Sequence, residues 1–489
     1  MKQLISKYFK FIILAALVYM PVFGHLNTLP IRMWDEARVA MNAYEMHDDG
    51  DYIVTHFDGK PDMWNTKPPL LIWFQVMFMK FLGVNELSVR LPSAFAAFFT
   101  CLALLIFSIR YLKKFWFGFI AVLVLITSHG YINVHASRTG DYDAMLAFFT
   151  TISCLFFFLF IESKKNKHLY LFFLSTALAV LTKSIAGLLF IPALAIYALW
   201  QMQIFSILKN KHFYIGFLSF LFITVGYYLL REKLNHGYLA AVYENEFGGR
   251  FLNVVENHKQ DFMYYYNNMI AFQFSTWYLL VPCGLIIGFL LKDKLINRFV
   301  VFSFLLIVTF FLIISIAQTK LEWYDVPLYP FLVIPVALFI YYIFDLLKNL
   351  EWANNGLRYN ILPFIFLFII SINPYRKIIE KTYLPKEYSW DKDLYEIGYY
   401  LKSAVKGYVD VNGYYLLSDG YTTQNAFYLR ILQDKGVNVS FMDRNNLKDN
   451  IKVIAYQSEV KKEIEENFNF DIINQTGNVT NYAIHDRKQ

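Results

Sequence analysis

The sequence is poor in charge. Only 17% of its 489 residues are Asp, Glu, Lys or Arg, whereas 57% are hydrophobic and 19% are aromatic. The mean hydropathy is +0.37. An average soluble domain has about 25% charged residues, so this composition excludes an ordinary soluble protein and favours one with extensive lipid contact.

Cysteine is also scarce. The three cysteines each fall inside an apolar run: Cys101, Cys154 and Cys283. We therefore expect neither paired extracellular disulfides nor a cysteine-based metal site. The net charge of +7 comes from Lys and Arg that cluster between apolar runs. Such clusters predict membrane topology, not a nucleic-acid surface.

Apolar runs long enough to cross a bilayer recur along the chain, and we predict about eleven transmembrane helices. The N-terminal run could be a signal peptide, but it is long and has no obvious small-residue cleavage site, so we predict a retained first span. The run 70–82 is short, which favours an interfacial or re-entrant segment. The predicted spans lie at about 11–29, 91–109, 115–134, 145–161, 169–183, 185–203, 213–230, 274–291, 299–317, 326–346 and 358–374.

The basic clusters orient these spans. With a cytoplasmic N-terminus they fall on the cytoplasmic side, and the opposite side carries mostly single cations. This orientation predicts two long outer loops, 30–90 and 231–273, joined to a membrane part that covers 1–374. The polar segment 375–489 alternates strand and helix patterns, which predicts a small extracytoplasmic α/β domain.

Ionisable residues collect at the outer ends of the spans, where they are costly and indicate function. Each alone could be an interfacial anchor or a helix cap, but all of them share one predicted membrane face. They are Asp35, Glu36 and Arg38; His56, Asp58, Lys60, Asp62 and Lys67; Arg138, Asp141 and Asp143; Lys183; and Lys320, Glu322, Tyr324 and Asp325.

This set of residues suits a reaction on a lipid-linked sugar phosphate. A carboxylate can act as general base towards a hydroxyl, and Lys or Arg can neutralise a phosphate leaving group. Lys67 directly precedes Pro68 and Pro69 at the start of an apolar run. We therefore expect this lysine to be held rigidly where a lipid phosphate reaches the membrane surface.

Five motifs carry a resemblance to a known family. They are "WDEAR", "TKPPL", "SRTGDYDAML", "LTKSIAGLL" and "TKLEWYDVPLYP", in this order. Over about residues 1–345 the chain resembles the polytopic GT-C glycosyltransferases, in the branch that contains protein O-mannosyltransferases and the aminoarabinose transferase of lipid A. In the aminoarabinose branch a glutamate commonly precedes Lys-Pro-Pro, and here Thr66 takes that place. The donor sugar therefore stays open.

The resemblance implies transfer of a sugar from a polyprenyl monophosphate carrier on the non-cytoplasmic face, usually with inversion. It implies Asp35 as the base that activates the acceptor, with Glu36 in support. Asp143 falls at the family's second acidic position, and Asp141 is a further catalytic candidate. The implied substrate-binding residues are Lys67, Arg138, Lys320, Tyr324, His56 and Lys183.

We expect no cofactor and no obligate metal, although the carboxylates could hold a divalent ion through oxygen ligands. The expected partners are a polyprenyl-phosphate sugar, a lipid, glycan or protein acceptor, and membrane lipid, but no nucleic acid. The expected location is the inner (plasma) membrane. Two alternatives remain: a transporter or flippase for an anionic lipid-linked glycan, and a membrane scaffold with an outer binding domain. A transporter favours mid-span charges and broken half-helices in repeats, which the sequence lacks.

Overall fold

The computed structural model describes residues 2–249, 258–356, 360–417 and 419–488. Its larger part is helical. The helices, numbered along the chain, are α1 Lys2–Phe23, α2 Asp35–Asp49, α3 Leu70–Leu82, α4 Glu86–Phe107, α5 Phe115–Ile126, α6 Asp143–Ser163, α7 Asn166–Lys183, α8 Ile191–Trp200, α9 Ile204–Leu208, α10 Lys211–Leu234, α11 Tyr238–Val242, α12 Tyr264–Asn268, α13 Leu280–Leu290, α14 Lys294–Ile316, α15 Tyr329–Lys348, α16 Glu351–Gly356, α17 Leu362–Thr382, α18 Lys392–Val405, α19 Thr423–Asp434 and α20 Ser458–Asn467.

Polar residues set where several helices begin. Asn85 accepts a hydrogen bond from the Ser88 amide and Ser88 bonds back, so α4 starts with a capping box. Asp293 accepts from the amides of Leu295 and Ile296 and caps α14. The apolar stretches that follow then continue as helix because every backbone group is satisfied within the segment.

The described residues contain seven helices that are long and apolar enough to cross a membrane, and shorter apolar helices lie beside them. A polytopic helical membrane architecture is therefore confirmed, whereas the count of eleven spans stays a prediction. The predicted short run is α3, Leu70–Leu82. The predicted span at 115–134 ends early, at Ile126, where the chain turns into the loop that carries Arg138 and Asp141.

Close helix packing brings α13 against α15. A Cβ atom added at Gly284 would lie 1.8 Å from the Pro335 carbonyl oxygen, and one at Gly288 would lie 2.6 Å from Val300 Cγ1 of α14. Small residues at such crossings allow backbones to approach in a membrane bundle.

The strands are β1 His56–Phe57 and β2 Lys60–Pro61, which form a small hairpin before α3, then β3 Tyr414–Leu417, β4 Val439–Met442, β5 Ile451–Ala455, β6 Phe468–Thr476 and β7 Val479–Arg487. The last five form one sheet in the C-terminal region, in the order β4-β3-β5-β7-β6. The first three strands of this order pair in parallel, and the last two add antiparallel. Strands β3, β4 and β5 and the helices between them follow the alternating strand and helix patterns of the sequence. The β6–β7 hairpin was not predicted.

This C-terminal region packs on the first outer loop. Tyr428 of α19 accepts a bond from the Ile31 amide at 2.9 Å and donates to Glu86 at 2.7 Å. Lys402 of α18 pairs with the same glutamate at 3.0 Å. Helix α17 runs through Pro374 to Thr382, past the boundary that we predicted at 374. The division into a membrane part, 1–374, and a C-terminal domain, 375–489, stays a prediction. The extracytoplasmic location of the C-terminal domain also stays a prediction.

Candidate active site

Asp35, His135 and Asp141 form what we call the carboxylate cluster. Asp35 is the first residue of α2, and its side chain is 57% exposed. His135 Nδ1 lies 3.7 Å from Asp35 Oδ2 and 3.4 Å from Asp141 Oδ2. Of these three residues only Asp35 presents its carboxylate to open space, while a helix N-terminus stabilises its negative charge.

The other two members of the cluster are buried, and each favours the charged form of the other. Burial disfavours the charged form of His135, but the charge of Asp141 outweighs it and raises the pKa of the imidazole. Burial likewise opposes ionisation of Asp141, yet the imidazole of His135 and the Thr139 hydroxyl lower its pKa. The ring of His135 also stacks on Trp323 with centroids 3.7 Å apart. The cluster therefore combines one exposed carboxylate with a buried carboxylate–imidazole pair.

Glu36 has a supporting position and faces no cavity. It is fully buried, and the Arg90 guanidinium donates to it at 2.7 and 2.9 Å. The amides of Arg32 and Gly140 donate to the same carboxylate at 2.7 and 2.9 Å. Glu36 thus ties together the loop before Asp35, helix α4 and the loop before Asp141, and its oxygens are already occupied.

Lys67, Asp143, Lys183 and Tyr324 line a second cavity, the lysine cavity, of about 120 Å³. Most of its remaining wall is apolar and comes from α6, α14 and the turn after α7. Lys183 donates to both oxygens of Asp143, at 2.6 and 2.7 Å, so this carboxylate is neutralised within the wall. Lys67 lies 3.7 Å from Glu246. Cations set in an apolar wall suit the phosphate of a lipid carrier.

The lysine cavity and the carboxylate cluster are neighbours. Lys183 interacts electrostatically with Asp35, and Asp143 interacts with both Asp141 and His135. A further cavity of about 320 Å³ opens on the other side of His135. Its polar wall includes Gln273, Glu322 and Asp325. Amide and carboxylate groups of this kind can bind the hydroxyl groups of a sugar.

Three predicted binding residues lie elsewhere. Arg138 donates to the carbonyls of Pro21, Val22 and Gly24 at the end of α1, and it lines a different cavity from Lys67. The structure therefore does not place Arg138 and Lys67 together at one donor phosphate. The other two residues, Lys320 and His56, bond to local partners.

Lys320 donates to the carbonyls of Ala317 and Gln260 at 2.6 and 3.1 Å, and burial lowers its pKa. It therefore fastens an outer loop to the end of α14. His56 lies in the β1–β2 hairpin, with Nδ1 3.0 Å from Asp49. Neither side chain lines the lysine cavity or the cavity beside His135.

The carboxylate cluster is also the place where a divalent ion could bind. One oxygen of Asp35, one of Asp141 and a ring nitrogen of His135 all lie within 4.8 Å of one another. Two carboxylates and an imidazole form a donor set that suits Zn²⁺ or Mn²⁺. Metal independence therefore stays a prediction.

Sequence reasoning missed His135, Glu246 and Arg90. His135 stands in "NVHASRTGD", three residues before Arg138, so the motif itself held the signal. Glu246 comes from an outer loop distant in sequence and had no local signal. Arg90 reaches Glu36 because α4 begins beside the first outer loop, which only the tertiary fold reveals.

A match to one protein family and a structural similarity both agree with the resemblance that the sequence motifs predicted. Residues 66–228 match the family described as dolichyl-phosphate-mannose-protein mannosyltransferase. The crystal structure of ArnT from Cupriavidus metallidurans bound to undecaprenyl phosphate superposes with a TM-score of 0.69, 14% identity and 98% coverage of each chain. The chain has the fold of the GT-C glycosyltransferases. The resemblance read from the five motifs is therefore confirmed.

Two curated proteins are similar in sequence. An uncharacterized protein of Aquifex aeolicus is 27% identical over 340 residues, which span 68% of this chain and 64% of that protein. The undecaprenyl phosphate-alpha-4-amino-4-deoxy-L-arabinose arabinosyl transferase of Shewanella sediminis is 31% identical over 211 residues, 39% of this chain and 36% of that enzyme. The matched part thus covers less than two thirds of either relative.

Proposed function

We propose that the protein is an integral membrane glycosyltransferase that moves a sugar from a polyprenyl-phosphate carrier to a hydroxyl or phosphate of a lipid, glycan or protein acceptor. The observation that carries this proposal is the exposed carboxylate of Asp35, which lies 3.7 Å from His135 of the polar cavity and interacts electrostatically with Lys183 of the lysine cavity. The catalytic face is the extracytoplasmic one, in the inner membrane.

The proposed reaction is a single displacement. Asp35 takes the proton of the acceptor O–H, and the acceptor oxygen attacks the anomeric carbon of the sugar. The bond from that carbon to the carrier phosphate oxygen breaks, so the configuration inverts and a polyprenyl phosphate leaves. Two of the three N–H groups of Lys183 bond to Asp143, which leaves one for the phosphate beside Lys67.

Supporting roles follow from the contacts. Asp143 holds the Lys183 ammonium at the cavity wall. The centroid of the Tyr324 ring lies 5.0 Å from the same ammonium. Asp141 and His135 surround Asp35 on its buried side. The similar ArnT structure is bound to undecaprenyl phosphate, which supports a carrier of this class. The acceptor and the sugar are open within this proposal.

The first experiment separates carrier binding from chemistry. The parent, Lys67→Ala and Asp35→Asn are reconstituted in lipid nanodiscs, and binding of undecaprenyl phosphate is measured. We expect Lys67→Ala to weaken binding at least about tenfold, because it removes a partly desolvated cation, and Asp35→Asn to leave binding unchanged. Lys80→Ala serves as the matched control, since Lys80 is an exposed lysine of α3 outside the cavity.

Transfer is then measured with a panel of polyprenyl-phosphate sugars in a membrane extract that supplies the acceptors. Loss of a proton acceptor should lower the rate for Asp35→Asn by about 10²–10⁴-fold. A parent that binds no undecaprenyl phosphate contradicts the proposal and favours a transporter or scaffold. Unchanged transfer by Asp35→Asn removes Asp35 from the role of base.

A further inference from the structure

A large basic cavity lies apart from the lysine cavity. Its volume is about 670 Å³, and it is bounded by the loop after α5, the end of α17 and the segment that leads to α18. Its cations are Arg32, Arg90, Arg138, Lys381 and Lys386, of which Arg90 is already paired with Glu36. His129, Glu380 and Glu387 line it as well. It shares no lining residue with the lysine cavity.

The two glutamates do not neutralise these cations. Glu380 pairs with Arg376 at 3.4 Å, and Glu387 accepts a bond from the Tyr399 hydroxyl at 3.1 Å. Among the described residues, no carboxylate lies within the 4.0 Å of a salt bridge from Arg32, Arg138 or Lys381. The cavity therefore carries an excess of positive charge.

The cations are held in place by neutral partners. Lys381 donates to the Asn133 side chain at 2.6 Å, and Arg138 donates to backbone carbonyls at 2.6–3.3 Å. Burial, and then the charge of Arg90, lower the pKa of Arg138 to about 9. Burial and the charges of Lys381 and Lys377 lower the pKa of His129 to about 4. Partly buried cations without a carboxylate in direct salt-bridge contact are costly, and an anion would relieve that cost.

We propose that this basic cavity binds a phosphate group of the acceptor substrate. Arg32 lines both this cavity and the cavity beside His135, so a phosphate held here lies next to the carboxylate cluster. The donor phosphate would be held separately by Lys67 and Lys183. The inference rests on the proposed glycosyltransfer and specifies its acceptor class: a phosphorylated sugar or lipid that is anchored by its anion while another oxygen reacts.

The experiment measures binding of glucose 6-phosphate to the full-length protein in nanodiscs, with glucose as the neutral probe and inorganic phosphate as the minimal one. A second arm uses nanodiscs with and without phosphatidic acid to distinguish a lipid phosphate from a soluble one. The variants are Arg32→Gln and Lys381→Gln, and Lys381→Arg retains the charge. Lys462→Gln is the matched control, because Lys462 is an exposed cation of α20 that pairs with Glu466 and does not line the cavity.

We expect Arg32→Gln and Lys381→Gln each to weaken phosphate-probe binding at least about tenfold, while Lys381→Arg and Lys462→Gln stay close to the parent. Binding of undecaprenyl phosphate should be unchanged in all four. Equal binding of glucose and glucose 6-phosphate, or Gln variants that bind like the parent, would overturn the inference. A parallel loss of undecaprenyl phosphate binding would instead make the cavity part of the donor site.

The two proposals fail differently. A parent that binds the phosphate probe through Arg32 and Lys381 but binds no undecaprenyl phosphate contradicts the glycosyltransfer and leaves an anion site. A parent that binds undecaprenyl phosphate through Lys67 but no phosphate probe contradicts only the acceptor inference. Folding of each variant is checked by its unfolding temperature, and Lys386→Gln replaces a variant that does not fold, since Lys386 lines the same cavity.

Discussion

Asp35 is held in place by a buried ion pair, and one member of that pair, Arg90, also lines the basic cavity. Glu36 and Arg90 are both almost inaccessible and bond through two contacts, at 2.7 and 2.9 Å. We expect Arg90→Met to destabilise the protein by about 3–5 kcal/mol, because it leaves Glu36 buried without a counter-charge. Thermal unfolding in detergent measures this loss.

The control for that prediction is the double variant Glu36→Gln with Arg90→Met, which leaves no unpaired charge. It should recover a large part of the lost stability. A double variant as unstable as Arg90→Met would assign the effect to lost packing, since the Arg90 guanidinium also donates to the carbonyls of Leu26, Leu29 and Pro30.

A second residue-scale prediction concerns pH. Burial opposes ionisation of Asp62, but bonds from Arg38 at 2.7 and 2.9 Å and from Asn42 at 3.0 Å outweigh it and lower its pKa. A carboxyl group with a lowered pKa stabilises the fold above its ordinary pKa of about 3.9. That stability is lost as the pH falls through the folded-state pKa.

We therefore expect Asp62→Asn to lower stability by about 2 kcal/mol at pH 7 and by progressively less below about pH 4, so that the two unfolding curves converge in acid. Unfolding temperatures of parent and variant across this range measure the effect. Asp58→Asn is the control, because Asp58 is 85% exposed. A constant difference between parent and Asp62→Asn at every pH would contradict the prediction.

At the scale of elements, the loop before α19 contacts the residue that precedes the candidate base. Tyr421 stacks on Trp34 with ring centroids 4.4 Å apart, and its hydroxyl donates to the Trp34 carbonyl at 3.3 Å. Trp34 directly precedes Asp35. We expect Tyr421→Ala to lower kcat for transfer about tenfold with little change in KM for the donor, because the stack orients the start of α2. Such a stack is worth about 0.5–1.5 kcal/mol.

Tyr421→Phe keeps the stack and loses only the hydroxyl, so its kcat should stay close to that of the parent. If the Ala and Phe variants behave alike, the stack has no role. A rise in KM without a fall in kcat would point to substrate contact by Tyr421 instead of positioning.

Element type was predictable where a periodic pattern was strong. The alternation of β3, α19, β4 and β5 followed from the sequence because apolar strands alternate with amphipathic helices. The β6–β7 hairpin was missed although Gly477, with φ +57, marks its turn between two runs of nine residues. Most of β6 is exposed, so its side chains give a weak apolar pattern.

At the scale of the whole molecule, a hydrogen-bonded junction joins the C-terminal region to the helical part. The Tyr428 hydroxyl bridges the Ile31 amide and Glu86, and Lys402 pairs with the same glutamate. We expect Tyr428→Phe to cost about 1–3 kcal/mol, because it leaves the buried Ile31 amide unpaired. Limited proteolysis between α17 and α18 should become faster.

The control is Tyr408→Phe, since Tyr408 is 80% exposed and forms part of the same region. Equal proteolysis rates for Tyr428→Phe and the control would show that other contacts hold the junction. A single cooperative unfolding transition in the parent that splits in Tyr428→Phe would show that this bridge couples the two parts.

The candidate site was predictable to the extent that its residues stand in local motifs. Asp35, Lys67, Asp143 and Lys183 each follow or precede an apolar run, and the structure gathers them at one end of the helical part. The partition of the cations was not predictable. Arg138 stands five residues before Asp143 in the sequence, yet it lies in the loop between α5 and α6 and lines a different cavity.

The backbone at Trp34 has a consequence for engineering. With φ +70 and ψ −117, this tryptophan occupies a conformation that glycine adopts far more easily. A screen that rewards heat resistance alone should therefore enrich glycine at this position and discard the indole. A screen that rewards turnover should keep the tryptophan. Selection for heat resistance and selection for turnover should therefore lead to different residues at position 34.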